Sequence, residues 1–210
     1  VLVVDDHELN AESLSRALGA EDDLIVVGSA VSCAGALQAA RRLRPDVVVV
    51  HSHLSDGTGV EATALIKAEL PDTEVVVLMV EPTGAALAAA LEAGCSGFVD
   101  QESQFDELVR TIRSVSDGTV NLPPSLVVEI ATHLRPRPDA LGADLTPRER
   151  EVLQLLAVGK STSELVDSLN LSIHTVRNHI RKILEKLDAR SRLEAVAIAT
   201  RNGIVEWHPG

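Results

Sequence analysis

Pro45-Asp46-Val47-Val48-Val49-Val50-His51 is the stretch that decides the first half of the chain. Four consecutive valines do not alternate apolar with polar, so they do not describe a strand with one wet face. An unbroken β-branched run suits a strand buried on both faces, as in a parallel sheet covered by helices. On either side of it, similar short runs appear at Val1–Val4, Leu24–Val27, Glu74–Leu78 and Gly97–Val99. Helical patterns lie between and beyond them, at Glu8–Leu18, Ser32–Leu43, Gly59–Leu70, Gly84–Ala93 and Gln104–Val115. Strands alternating with helices of this length read as βαβ units. Five of them in about 120 residues describe one small doubly wound domain, whose site lies beyond the carboxyl ends of the strands.

The second half has no strand-like run except in its last few residues, and its helix starts are chemically marked. Thr146-Pro147-Arg148-Glu149 is a capping box with Pro at the first helical position. Ser161-Thr162-Ser163-Glu164 and Ser191-Arg192-Leu193-Glu194 have the same pattern, and Ser172 can cap a helix between them. Gly159 and Asn202-Gly203 supply ends. Four short helices follow, near 147–158, 162–169, 173–187 and 192–202. The middle two are separated only by Asn170-Leu171, a helix-turn-helix signature. Between the halves, Pro123–Leu134 reads as a further helix, and Arg135–Gly142, with alternating Pro, as a semi-rigid linker. The expected division is 1–118, 119–144 and 145–210.

The 210 residues carry a net charge of −12, with 45% apolar residues and 1% aromatics. This composition is that of an ordered globular protein. Uncharged apolar stretches such as Gly84–Leu91 fall well short of the ~18 residues a membrane span needs, so no membrane partner is expected. Cys33 and Cys95 are too few for a disulfide framework and lack metal-ligand spacing. They read as buried residues in a reducing, cytoplasmic setting. No signal peptide is visible, and because the chain opens on Val1 rather than Met, a few upstream residues are expected.

The overall charge argues against a nucleic-acid partner only until it is divided. Residues 1–134 hold 21 acidic and 7 basic side chains, a net of −14; residues 135–210 hold 10 and 12, a net of +2. Over 172–192 there are six basic residues and two acidic ones, a net of +4. In that third helix Val176, Ile180, Ile183, Leu184 and Leu187 share an inward face, leaving Arg177, Asn178, Arg181 and Lys182 opposite. Arg and Asn are the side chains suited to bidentate contacts with guanine and adenine edges in the major groove. Single-strand recognition by stacking needs aromatic platforms, and this half has only Trp207.

Leu145–Leu153 and then Leu171-Ser172…Thr175-Val176-Arg177-Asn178-His179-Ile180 resemble the C-terminal domain of NarL/FixJ-type (LuxR-like) response regulators, over about Leu145–Val205 without a gap. The resemblance implies a four-helix DNA-binding domain whose last helix often serves in dimerisation. It implies base contacts from Arg177, Asn178 and Arg181, and phosphate contacts from Ser172, Thr175 and Lys182. His174 and His179 fall on the same helix.

The first half resembles the receiver (flavodoxin-like) domain of two-component systems. The matching residues are Val3-Val4-Asp5-Asp6-His7-Glu8-Leu9, Pro45–Val50, Leu54–Glu61 and Ala93–Val99. That chemistry uses a phosphoacceptor carboxylate after the third strand and two acids that help hold Mg²⁺. It also uses a Thr or Ser after the fourth strand and a Lys after the fifth. Here the acids stand as Asp5 and Asp6, but the acceptor position is His51, the hydroxyl position Met79, the Lys position Gln101, and a usual loop Pro is Ser55. Imidazole cannot form an acyl phosphate, Met79 has no hydroxyl and Gln101 no charge to offset a phosphate. Phe98 takes the position of the family's aromatic switch and is expected in the core.

The expected protein is therefore not an enzyme but a cytoplasmic, homodimeric regulator of transcription that binds double-stranded DNA without aspartyl phosphorylation. No cofactor or metal is expected. A His51–His53 metal site with Asp5 and Asp6 is not expected, because isolated histidines are more often structural than ligating. Three roles remain open for the first half: a fixed dimerisation scaffold, a pocket for a small-molecule ligand, or a site where protonated His51 pairs with Asp5 or Asp6 in place of Mg²⁺. The alternative for the whole chain is a ligand- or partner-gated regulator whose acidic half inhibits DNA binding or pairs with another regulator.

Overall fold

The computed structural model describes residues 1–120, 126, 130, 132–135 and 142–205. They fall into two compact units: Val1–Pro82 with Ala93–Ser116, and Thr83–Glu92 with the described residues from Asp117 onward. Among them, no helix is long and apolar enough to cross a membrane. The expected helix at Pro123–Leu134 and the Pro-rich stretch after it lie largely outside the described residues, as does Trp207. Leu126, Ile130, Thr132 and His133 are helical.

The first unit runs β1 (Leu2–Val4), α1 (Glu8–Leu18), β2 (Gly28–Ala30), α2 (Cys33–Leu43), β3 (Val47–His51), a two-stranded hairpin of β4 (His53–Leu54) and β5 (Gly57–Thr58), α3 (Gly59–Glu69), β6 (Glu74–Met79), β7 (Gly97–Asp100) and α5 (Phe105–Ser116). The helix before β7, α4 (Gly84–Ala93), falls largely to the second unit by contact. The main sheet is parallel throughout, in the order β2-β1-β3-β6-β7. Val47–Val50 are buried, as a central strand with two covered faces requires. Val3, Val47, Val49, Val76 and Val99 join Ala11 and Leu18 of α1 and Leu108, Val109, Ile112 and Val115 of α5 in one core. The strand order reverses between β1 and β3, which sets the crevice at their carboxyl ends.

Two local differences from the sequence reading have physical causes. The edge strand is Gly28–Ala30, not Leu24–Val27. The apolar run precedes the ladder: the Val1 amino group donates to the Ile25 carbonyl at 2.6 Å, and the Val27 amide to Val1 at 2.9 Å. Leu24 and Val26 pack against the core, while Ile25 is 76% exposed. Pairing with β1 runs through Gly28–Ala30, and a Cβ at Gly28 would stand 2.9 Å from the Leu43 side chain. The β4–β5 hairpin was not legible either, since arms of two residues carry no periodicity.

The second unit contains α6 (Pro147–Ala157), α7 (Thr162–Leu169), α8 (Ile173–Lys186) and α9 (Arg192–Arg201). Thr146 with Glu149 and Ser161 with Glu164 form complete capping boxes. The third expected box is half closed. Ser191 Oγ accepts the Glu194 amide at 3.2 Å, but the Glu194 carboxylate accepts from the Arg190 amide at 2.7 Å. Asn170, left-handed at φ 50°, ends α7 and makes the tight turn possible. Every residue of Leu193–Ala199 is buried, so α9 leaves no apolar stripe uncovered. Arg192 Nη1 donates to the Gly118 carbonyl at 2.8 Å and the Thr162 hydroxyl at 2.9 Å, and Arg201 Nη1 to the Leu134 carbonyl at 2.8 Å.

Candidate nucleic-acid interface and receiver pocket

The helix-turn-helix is α7, Asn170-Leu171 and α8. Ser172 Oγ accepts the Thr175 amide at 3.2 Å and lies 2.9 Å from Thr175 Oγ1, so both hydroxyls are fixed at the start of α8. Val176, Ile180 and Ile183 are buried, which turns Arg177, Asn178, Arg181 and Lys182 to the exposed face. Arg181 Nε is 3.9 Å from Glu185, a loose contact that leaves its fork available. Helices α6, α7 and α9 carry a Glu in their first turn (Glu149, Glu164, Glu194), whereas α8 carries no acid there. Its positive dipole end is thus not offset by a carboxylate.

The far end of α8 is anchored. Lys186 Nζ donates to Glu149 at 2.8 Å and to the Asp144 carbonyl at 2.8 Å. Burial opposes ionisation of Glu149, but the hydrogen bonds from Lys186 and from Thr146 prevail and hold its carboxyl down at about 2. Arg148 Nη2 donates to the Leu169 carbonyl at 2.7 Å, closing the end of α7.

In the first unit, Asp5, Asp6, His51, Met79 and Gln101 gather at the carboxyl end of the sheet, around the β1–β3 crevice. Asp5 is buried and accepts the His7 amide at 2.8 Å; Asp6 lies 3.0 Å from His7 Nδ1. His51 does not pair directly with either acid: among the described residues no ion pair joins them. Its Nδ1 is 2.9 Å from the His53 carbonyl oxygen and its Nε2 2.9 Å from Gln101 Oε1. The Gln101 amide donates to the Met79 carbonyl at 2.7 Å, and the Met79 side chain is buried. Burial disfavours the imidazolium, but the bonds to His53 and Gln101 and the charges of Asp5 and Asp6 outweigh it. The His51 pKa is raised. Sequence reasoning missed the role of the His53 carbonyl, which the unforeseen hairpin delivers. The rings of His51 and His53 are 6.2 Å apart and tilted at 53°.

The Mg²⁺ that a receiver implies does not fit this donor set. The acceptor carboxylate is replaced by an imidazole that brings no negative charge and whose surroundings raise its pKa. One oxygen of each acid faces His7. Asp5, Asp6 and His7 do bring one ligand atom each within 4.8 Å of one another, and their mutual contacts account for that proximity.

A receiver-type sheet joined to a helix-turn-helix unit defines a response-regulator architecture. Residues 1–113 match the response regulator receiver domain, and residues 143–199 match the bacterial regulatory proteins of the luxR family. The chain belongs to the luxR-family response regulators. The response regulator protein VraR of Staphylococcus epidermidis is 31% identical over 206 residues, covering 98% of each chain. The transcriptional regulatory protein LnrK of Bacillus subtilis is 30% identical over 214 residues, covering 97% of each. A LuxR-family two-component response regulator from Aurantimonas is 30% identical with a TM-score of 0.57, covering 62% of this chain and 94% of that one. These names are those of regulators, not enzymes.

Proposed function

We propose that this response regulator is a sequence-specific reader of double-stranded DNA that controls transcription without aspartyl phosphorylation of its receiver. The observation that carries the second half of this reading is His51 at the end of β3, held by the His53 carbonyl and Gln101. A phosphoryl group there meets no carboxylate at the acceptor position, no hydroxyl at Met79 and no cation at Gln101. The first half is supported by the luxR-family match and by the exposed face of α8. Arg177, Asn178 and Arg181 are assigned to base edges, and Ser172, Thr175 and Lys182 to phosphates.

We assign a homodimer that reads half-sites about one helical turn apart. Leu193–Ala199 of α9 are buried within the single chain. The functional division is placed at 1–118, 119–144 and 145–210, although contact grouping sets Thr83–Glu92 with the second unit. Incubation of the full chain with a small acyl-phosphate donor and Mg²⁺, followed by intact mass, tests the phosphorylation claim. An unchanged mass is expected; a gain of one phosphoryl group overturns it.

A further inference from the structure

We propose that Ile173 reads the 5-methyl group of a thymine in the major groove, one or two base pairs from the base contacted by Arg177. The inference rests on the duplex-reading role of α8 and adds a residue that the basic face does not include. Ile173 opens α8 and is 43% exposed; with Val158 it makes up the exposed large apolar side chains among the described residues of the second unit. Val158 lies on the C-cap of α6. Ile173 alone sits on the helix whose polar side chains Arg177, Asn178 and Arg181 face solvent.

The spacing places it usefully. Ile173 and Arg177 are four residues apart, one turn of helix, or roughly 6 Å along the axis. Residues at the N-terminal end of a recognition helix are the ones that approach base edges. Ile173 has no polar atom to offer a base, and the one apolar feature of the major-groove edge is the thymine methyl. Ser172 and Thr175, which bond each other through their hydroxyls, flank Ile173 and can bind the backbone beside it without competing for that methyl.

The test uses the full-length protein. A duplex is first selected from a randomised pool, and each thymine of the half-site is then replaced singly by deoxyuridine, which lacks only the methyl group. Wild type is expected to lose affinity roughly three- to five-fold at one thymine near the Arg177 base, the equivalent of one buried methyl. Ile173→Ala is expected to bind thymine and deoxyuridine equally there, and Ile173→Val to keep most of the discrimination. A half-site without a thymine at that step, no loss in wild type, or the same loss in Ile173→Ala overturns the inference alone. A pool that yields no enriched sequence overturns the duplex-reading role as well.

Discussion

Arg177 and Lys182 share the exposed face of α8, but their chemistry differs. A guanidinium fork can grip one base edge in a fixed geometry, whereas an ammonium is a point charge suited to phosphate. Arg177→Ala is expected to cost about 1–3 kcal/mol on the preferred site and to relax the preference at one position. Lys182→Ala is expected to weaken all duplexes alike and to flatten the salt dependence by about one phosphate contact. Parallel titrations against preferred and scrambled duplexes distinguish the two. Intact affinity in both Arg177→Ala and Arg181→Ala contradicts the assignment. At the other site, the raised pKa of His51 means that the folded state holds its proton more tightly than the unfolded chain. The resulting stability is fully present below the ordinary histidine value and is lost as pH rises through the raised one. Urea melts are therefore expected to show a gap between wild type and His51→Ala that is widest in mild acid and narrows at alkaline pH. The replaced residues themselves were legible in the sequence. Their partners were not: pairing with Asp5 or Asp6 looked available, yet the hairpin carbonyl of His53 takes one ring nitrogen and Gln101 the other.

At the scale of elements, the marked helix starts were the most readable features, because a cap is a local exchange of hydrogen bonds among four residues. Thr146–Glu149 and Ser161–Glu164 close as their spacing requires. Glu194 diverges because the Arg190 amide is within its reach. Glu149 does more than cap, since it also binds Lys186 of α8 and so ties the orientation of the reading helix to α6. Lys186→Met leaves that buried carboxylate without its cation, and about 3 kcal/mol of stability is expected to go with it in chemical denaturation. The Glu149 pKa is depressed to about 2. Its contribution is therefore present above the ordinary carboxylate value and is lost as pH falls through that range. The edge strand was less readable than the helices. Hydrophobicity marks Leu24–Val27, of which Leu24 and Val26 pack, whereas the ladder runs through Gly28–Ala30, where Gly28 leaves room for the Leu43 side chain.

For the whole molecule, the net charge of −12 averages an acidic first half with a second half whose residues 172–192 carry a local net charge of +4. Binding is accordingly expected to weaken steeply with added salt, with a slope set by the few phosphates that α8 and its cap contact rather than by the overall charge. A slope near zero in a salt titration contradicts that. The alternation of strands and helices made the doubly wound class legible. The grouping of α4 with the second unit was not, because Gly84–Ala93 is apolar nearly all round and its sequence does not say what covers it. The most direct test of the central claim is the affinity of the full chain for its selected duplex, measured with and without prior treatment by an acyl-phosphate donor and Mg²⁺. Sequence-dependent binding with the same dissociation constant in both states is expected. Binding that ignores sequence, or that tightens after the donor, contradicts it.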